Sequence, residues 1–301
     1  MLPPARLYDE PLESLLEPIG FQPQEDRENL ALAARSWQAA AALKLSILLT
    51  VHNREATIAQ AISGILNVDY PCAVELIVVD DGSTDGTSEL LAKIGDDRVT
   101  VFRHRVHQGK SAALRTASAL AVGSYLLAFD AGPEYSAEDI PRMLRPVLAG
   151  RCQVVYGARL PGYNTVYRSR RHVRGNRLLT LLANVLFDAC VTDLHTGFKL
   201  MPRAIFDQLM LRERGAGLDT EMTALLLKQG VRPFEVPVSY YGGSTSAAEI
   251  SWRQAAACVR VLLRVRLQTG VTGRVHRRRA HDQAYDNAVI CSDHPNLSEA
   301  C

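Results

Sequence analysis

Five apolar runs, each followed by turn residues and a stretch of helical period, limit the fold of this chain more than any other feature. They are "LSILLTVHN" (Leu45 to Asn53), "VELIVVDDGS" (Val74 to Ser83), "VTVFRH" (Val99 to His104), "SYLLAFD" (Ser124 to Asp130) and "QVVYGARL" (Gln153 to Leu160). Most lack the polar alternation of a strand with one wet face, so they read as strands buried on both sides. Between them, "EATIAQAISGIL" places Ile58, Ile62, Ile65 and Leu66 on one side of a helix. "SELLAKIG" is a helix closed by Gly95, and "KSAALRTASALAVG" is another. Buried strands alternating with helices predict an α/β fold with a mostly parallel central sheet flanked by helices. Three acids, Asp80, Asp81 and Asp130, fall at C-terminal strand ends, where open α/β sheets bind ligands.

The alternation spans residues 44–245. Before it lies an N-terminal helical extension, 1–43, proline-rich and then alanine-rich, open to two uses: self-association into a homo-oligomer or docking of a partner. Residues 246–272 form a C-terminal amphipathic helix with Arg260, Arg264 and Arg266 among apolar residues. It suits a membrane interface and packing on the domain equally. The tail, 273–301, is polar and expected to be loosely ordered. The start of the chain is acidic, unlike a signal peptide. No apolar run reaches the roughly 18–20 residues of a membrane span. The longest, "LLTLLANVLF" (178–187), has the length of a core helix. Six cysteines without metal-ligand spacing fit a reduced, cytoplasmic protein, soluble or peripheral at the inner membrane face.

Net charge is +2, so nothing global points to nucleic acid. The charge is uneven, however. Between Arg159 and Arg177 stand six arginines and no acid, a pattern that favours phosphates or an anionic surface, or is simply solvated. No Gly-x-Gly-x-x-Gly follows a strand, which removes a dinucleotide fold. "HRVHQGKS" lacks the first glycine of a P-loop. His104 and His107 have no third ligand nearby and read as surface histidines. Ser136 is placed to cap a helix, with Asp139 reaching back.

Five segments in order, "LSILLTVHNREATI", "ELIVVDDGSTDGT", "QGKSAALRTASALAVGSYLLAFDAGPEYSAEDIPRML", "HTGFKLM" and "LDTEMTALLLKQGVRPFEVPVSYY…ISWR", resemble the inverting family 2 glycosyltransferases of the GT-A fold. The branch they look most like is the dolichol- and polyprenyl-phosphate mannose synthases. The resemblance implies a donor site for a nucleotide diphosphate sugar, of GDP-mannose or UDP-glucose type, at Asn53, Glu55, Asp80, Asp81, Lys110 and Asp130. A carboxylate suits a ribose diol or a base N–H edge, although a turn cap also explains Asp81. Arg54 and His52 depart from the branch, which has an acid and a tyrosine there, and leave the base open.

In the family, the strand ending at Asp130 carries Asp-x-Asp and grips a divalent cation. Here Gly132 stands where the second acid belongs. Asp130 and Glu134 can hold Mg²⁺ or Mn²⁺ with water replacing the lost carboxylate. Alternatively, Lys110 and Arg159 neutralise the diphosphate without a tight metal, or the site has decayed. Asp130, Arg159 and Asp193 are the expected catalytic residues, with Asp193 either orienting groups or acting as base. Asp219 and Glu221 match a further acidic pair. A lipid-phosphate acceptor at a membrane surface needs cations rather than a base, since its second pKa near ~6 leaves it ionised. Arg168, Arg170 and Arg171 are expected to bind it. The reading is thus inverting hexosyl transfer to a polyprenyl phosphate. Its alternatives are a soluble hydroxyl acceptor or a non-catalytic scaffold.

Overall fold

The computed structural model describes residues 43–268, apart from 131, 133, 161–162, 167–169, 214, 216 and 243–251. The extension before Leu43 and the tail from 273 lie outside the described residues, as does Arg168; Arg170 and Arg171 are described as helix backbone only.

Seven strands form one sheet in the order β3-β2-β1-β4-β7-β5-β8. They are β1 (Lys44–Val51), β2 (Ala73–Asp80), β3 (Val99–Arg103), β4 (Tyr125–Asp130), β5 (Val155–Ala158), β7 (Lys199–Pro202) and β8 (Phe234–Pro237). All pairings are parallel except the two made by β7, with β4 and β5. A small parallel pair, β6 (Thr165–Val166) and β9 (Tyr240–Tyr241), lies beside it.

β1 shows why the apolar runs become central strands. Leu45, Ile47, Leu49 and Val51 enter the core on one face, while Leu48 enters the core on the other. Ser46, also buried, donates its hydroxyl proton to Glu75 and accepts from the Gly123 amide. Burying each such leucine or isoleucine is worth about 1.5–3 kcal/mol. The first face is covered by α1 (Ile58–Leu66), α2 (Thr87–Leu91) and α4 (Ile140–Leu148). The second is covered by α3 (Lys110–Leu120), α5 (Arg170–Phe187), α6 (Arg203–Gln208), α7 (Gly217–Lys228) and α8 (Trp252–Leu267).

The chain leaves β1 toward β2 and β3, then crosses back to place β4 on the other side of β1. That reversal opens a crevice at the C-terminal ends of β1 and β4, the position at which α/β sheets take ligands. Asn53 and Asp130 stand at its two sides.

Several local expectations change. β3 is an exposed edge strand rather than a buried one, with Val101 and Phe102 open to solvent. Helix α2 stops at Leu91, and Gly95 does not cap it. Ser136 does cap, accepting from the Glu138 amide into the short 3-10 turn Ala137–Asp139. Asp139, however, accepts the Ser239 amide at 2.7 Å instead of reaching back. "LLTLLANVLF" is only half core: Leu179, Ala183 and Phe187 are buried while Leu178, Leu181 and Val185 face solvent. Helix α8 packs on α7 and α5 through Cys258, Val261, Leu262 and Val265.

Candidate active site

At the β1 and β2 ends, two turns are stitched together. Asn53, in the left-handed region at φ 51°, accepts the Thr84 amide on Oδ1 at 2.8 Å, and its own amide donates to Ser83 Oγ. Glu55 accepts the Gly86 amide on Oε2 at 3.1 Å. Asp80 is buried and accepts from the Ser83 amide and the Ser88 hydroxyl. Asp81 is buried as well. Its carboxylate takes the amides of Gln108 (2.9 Å) and Gly109 (2.7 Å) and His104 Nδ1 (2.7 Å), while His107 Nδ1 lies 3.0 Å from it and hydrogen-bonds the Asp81 carbonyl oxygen at 3.3 Å. Three donors thus converge on one carboxylate. Burial opposes the charge of Asp81, but these partners outweigh it and hold the carboxyl below its usual range. His104 is therefore no surface histidine. It is buried, with Nε2 against Thr116. At the mouth of this corner the His52 and His107 rings meet at a 39° tilt, centroids 4.1 Å apart.

Across the crevice, Lys110 opens α3 and sets Nζ 2.8 Å from Asp130 Oδ1 and 3.9 Å from Asp219 Oδ2. Burial works against its charge, yet Asp130 and Asp219 hold the ammonium above its usual range. Asp219 in turn accepts from Lys199 at 2.8 Å. A row of alternating charge, Asp130, Lys110, Asp219 and Lys199, thus runs from the crevice into the core. Asp219 is pulled down to about 2 against the effect of burial by Lys199 and Lys110. Burial lowers Lys199, whose ammonium also donates to Thr196 O and lies 5.3 Å from the Tyr156 ring.

Two glycines make room for the acids. A Cβ on Gly197 would stand 2.7 Å from Asp130 Oδ2. A Cβ on Gly132 would fall 1.7 Å from Glu134 Oε2. Glu134 thus fills the space that a side chain at 132 would take. It is buried, and its carboxylate has no hydrogen-bond or ion-pair partner among the described residues. Asp130 and Glu134 supply the hard oxygens that Mg²⁺ or Mn²⁺ prefers. The donor set fits such an ion, provided a diphosphate and water complete it. Among the described residues no group of three or more His, Cys, Asp and Glu gathers to form a protein-only metal site.

The third cluster is the tightest. Arg159, just past β5, donates Nε to Asp193 Oδ2 at 2.6 Å and Nη2 to Asp193 Oδ1 at 2.8 Å. Asp193 also accepts the Arg159 amide and Asn176 Nδ2. Burial favours its neutral form, but Arg159 overrides this and holds the carboxyl far below the usual range. Because Asn176 gives its amide protons to Asp193, its Oδ1 faces His195 Nδ1 at 2.7 Å. The hydrogen-bond pattern therefore puts the imidazole proton on Nδ1, and Nε2 accepts from Thr220 at 2.9 Å. Burial lowers His195 to about 4, so the ring is neutral at pH 7.

With this geometry in place, similarity to known proteins becomes informative. The profile of glycosyl transferase family 2 matches residues 46–210. The chain belongs to that family. Glycosyltransferase AglJ of Haloferax volcanii is 30% identical over 196 residues, 65% of this chain and 62% of AglJ. A low-salt glycan biosynthesis hexosyltransferase of the same organism is 29% identical, over 65% of this chain and 48% of its own length. This chain therefore spans less than two thirds of either relative. Polyprenol monophosphomannose synthase of Mycolicibacterium smegmatis is 25% identical over 222 residues, 70% of this chain and 82% of the synthase.

Among solved structures, glucosyl-3-phosphoglycerate synthase of Mycobacterium tuberculosis with UDP superposes with a TM-score of 0.61 at 21% identity, covering 79% of this chain and 85% of that one. The same synthase with Mn²⁺, UDP-glucose and phosphoglyceric acid gives 0.58 at 20%, covering 79% of this chain and 84% of that one. The fold of this family 2 member is the α/β GT-A fold.

The sequence-expected residues fall into three groups around the crevice. Asn53, Glu55, Asp80 and Asp81 form the β1–β2 corner. Lys110 and Asp130 pair across it, while Arg159 and Asp193 pair with each other. Lys199, Asn176 and His195 were not expected as site residues. The only sequence signal for them was their place in "HTGFK" and in the basic segment, and neither reveals a partner.

Proposed function

We propose that this chain transfers a hexose, with inversion, from a nucleotide diphosphate sugar of GDP-mannose or UDP-glucose type to a polyprenyl phosphate. The observation that carries the acceptor is the Arg159–Asp193 pair. A hydroxyl acceptor needs a base to take its proton. Asp193, the carboxylate the sequence offers for that work, has its lone pairs filled by Arg159 and Asn176 and is held ionised far below neutral pH. A phosphate monoester, with a second pKa near ~6, brings its own anion.

In this reading Asp193 is a positioning residue that fixes Arg159. Asn53, Glu55, Asp80 and Asp81 shape the corner that receives the nucleoside. Lys110 stands beside Asp130 where the diphosphate charge is expected, and Arg168, Arg170 and Arg171 receive the acceptor phosphate. Asp130 and Glu134 would hold Mg²⁺ or Mn²⁺. Such an ion, when bound, neutralises charge on the departing nucleoside diphosphate.

One observation favours a second reading. Glu134 sets Oε2 in the space left by Gly132, beside Asp130, and a carboxylate there can serve a hydroxyl acceptor as base. Transfer by purified protein to a short-chain polyprenyl phosphate, set against the matching free alcohol, separates the two. Turnover on the phosphate alone supports the first reading. Turnover on the alcohol alone moves the reaction to Glu134.

A further inference from the structure

Helix α5 buries Leu179, Ala183 and Phe187 yet turns a second apolar row outward. Arg174, Leu178, Leu181 and Val185 follow one another at i, i+4, i+7 and i+11, a single stripe on the helix, and all four are exposed. Helix α8 repeats the arrangement at the same spacing, with Ala256, Arg260, Leu263 and Leu267. The two helices touch each other, and their inner faces share one core, so their outer stripes face the same side of the molecule. Leu178, Leu181, Val185, Trp252, Leu263 and Leu267 are between 42% and 75% exposed. Interior packing does not explain them, and soluble surfaces rarely gather large apolar side chains in this way.

Charge identifies the occupant. The 18 residues of α5 and the 16 of α8 hold eight arginines and no acid. Of these, Arg174, Arg177, Arg253, Arg260 and Arg266 are exposed. A two-fold contact between copies would set this patch against itself, arginine facing arginine with no carboxylate between them. An anionic lipid surface meets both halves of the chemistry, with headgroups for the arginines and the acyl boundary for the leucines and Trp252. Among the described residues no helix is long and apolar enough to cross a membrane, so contact of this kind lies along the surface. We propose that the paired outer faces of α5 and α8 dock the protein on an anionic bilayer.

The test is co-sedimentation of the full chain with vesicles of phosphatidylglycerol and phosphatidylcholine, compared with phosphatidylcholine alone. Retention is expected on the anionic vesicles only, falling as salt rises. Leu181→Glu with Val185→Glu should lower the bound fraction at least tenfold without moving the melting temperature, because both positions are open to solvent. Leu263→Glu with Leu267→Glu probes the other helix and should do the same. The proposal fails if the wild-type chain stays in the supernatant, which leaves the face to another occupant such as the acidic segment 1–42. It also fails if either double variant binds like wild type. A dimer that dissociates in the α5 variant, without vesicle retention, assigns the face to a second copy instead. Transfer to a short, water-soluble polyprenyl phosphate needs no vesicles, so it can succeed where docking fails, and docking can succeed where transfer fails.

Discussion

Arg159 and Asp193 meet through two parallel charge-assisted bonds of 2.6 and 2.8 Å, buried at 8% and 2% exposure. Such a pair is costly to break, because the surviving partner is left charged and dry. Asp193→Ala is expected to lower unfolding stability by ~3–5 kcal/mol, whereas Arg159→Met with Asp193→Leu should recover most of that loss. Urea denaturation of the three proteins checks this. A double variant no more stable than Asp193→Ala would contradict the account of the pair.

Asp81 pins the loop before α3 at the corner that the proposed function gives to the nucleoside. Losing a carboxylate that accepts the Gln108 and Gly109 amides and the His104 imidazole leaves those donors without partners. Asp81→Ala should therefore lower stability by ~2–3 kcal/mol and weaken nucleoside diphosphate binding together. Calorimetry with UDP and GDP, alongside thermal melts, reads both. Lost affinity with an unchanged melting temperature would mean that these contacts carry little energy.

How much of this was legible in the sequence differs between the two halves of the site. The sheet was readable, because strands such as Leu45 to Val51 are apolar on both faces, and that pattern has few other uses. Asp80, Asp81 and Asp130 were readable because they follow such runs directly. Partnerships were not. Arg159 and Asp193 lie 34 residues apart, and nothing local tells an arginine whether it will meet a phosphate or a carboxylate. Gly95 looked like a helix stop, but α2 already ends at Leu91 with Ala92 as its C-cap. The outward row on α5 was hidden because Leu178, Leu181 and Val185 sit in the same apolar run as the buried Leu179, Ala183 and Phe187.

Gly132 and Glu134 give a prediction about metal. Two carboxylates leave most of the coordination to the donor diphosphate, so stimulation by Mn²⁺ should need high, roughly millimolar concentrations. Glu134→Ala should weaken it further. Adding Gly132→Asp in that background, where the space is then free, should restore or strengthen it. Metal titrations of donor turnover and of UDP-sugar affinity report the order. Identical metal curves for all three proteins would remove both residues from the metal site.

His195 sets an acid limit on the fold. Its ring is neutral when buried, with a pKa of about 4, against ~6.5 in an unfolded chain. Between those values the unfolded state binds more protons, so stability is full above pH 6.5 and falls as pH drops toward 4. The loss is on the order of 3 kcal/mol at about 1.4 kcal/mol per unit. Melting temperature against pH for wild type and His195→Gln isolates it. The two curves should converge as pH falls through that window, and curves that stay parallel would show that His195 is not buried neutral.

The central claim is that the acceptor supplies its own negative charge, and the pH dependence of kcat/KM tests it most directly. With a short-chain polyprenyl phosphate the acidic limb should follow the acceptor's second ionisation, near ~6. With the matching phosphonate, whose second pKa is higher, that limb should move upward by the same interval. A limb that stays fixed when the acceptor changes would show that a group of the protein takes the proton, and would contradict the account.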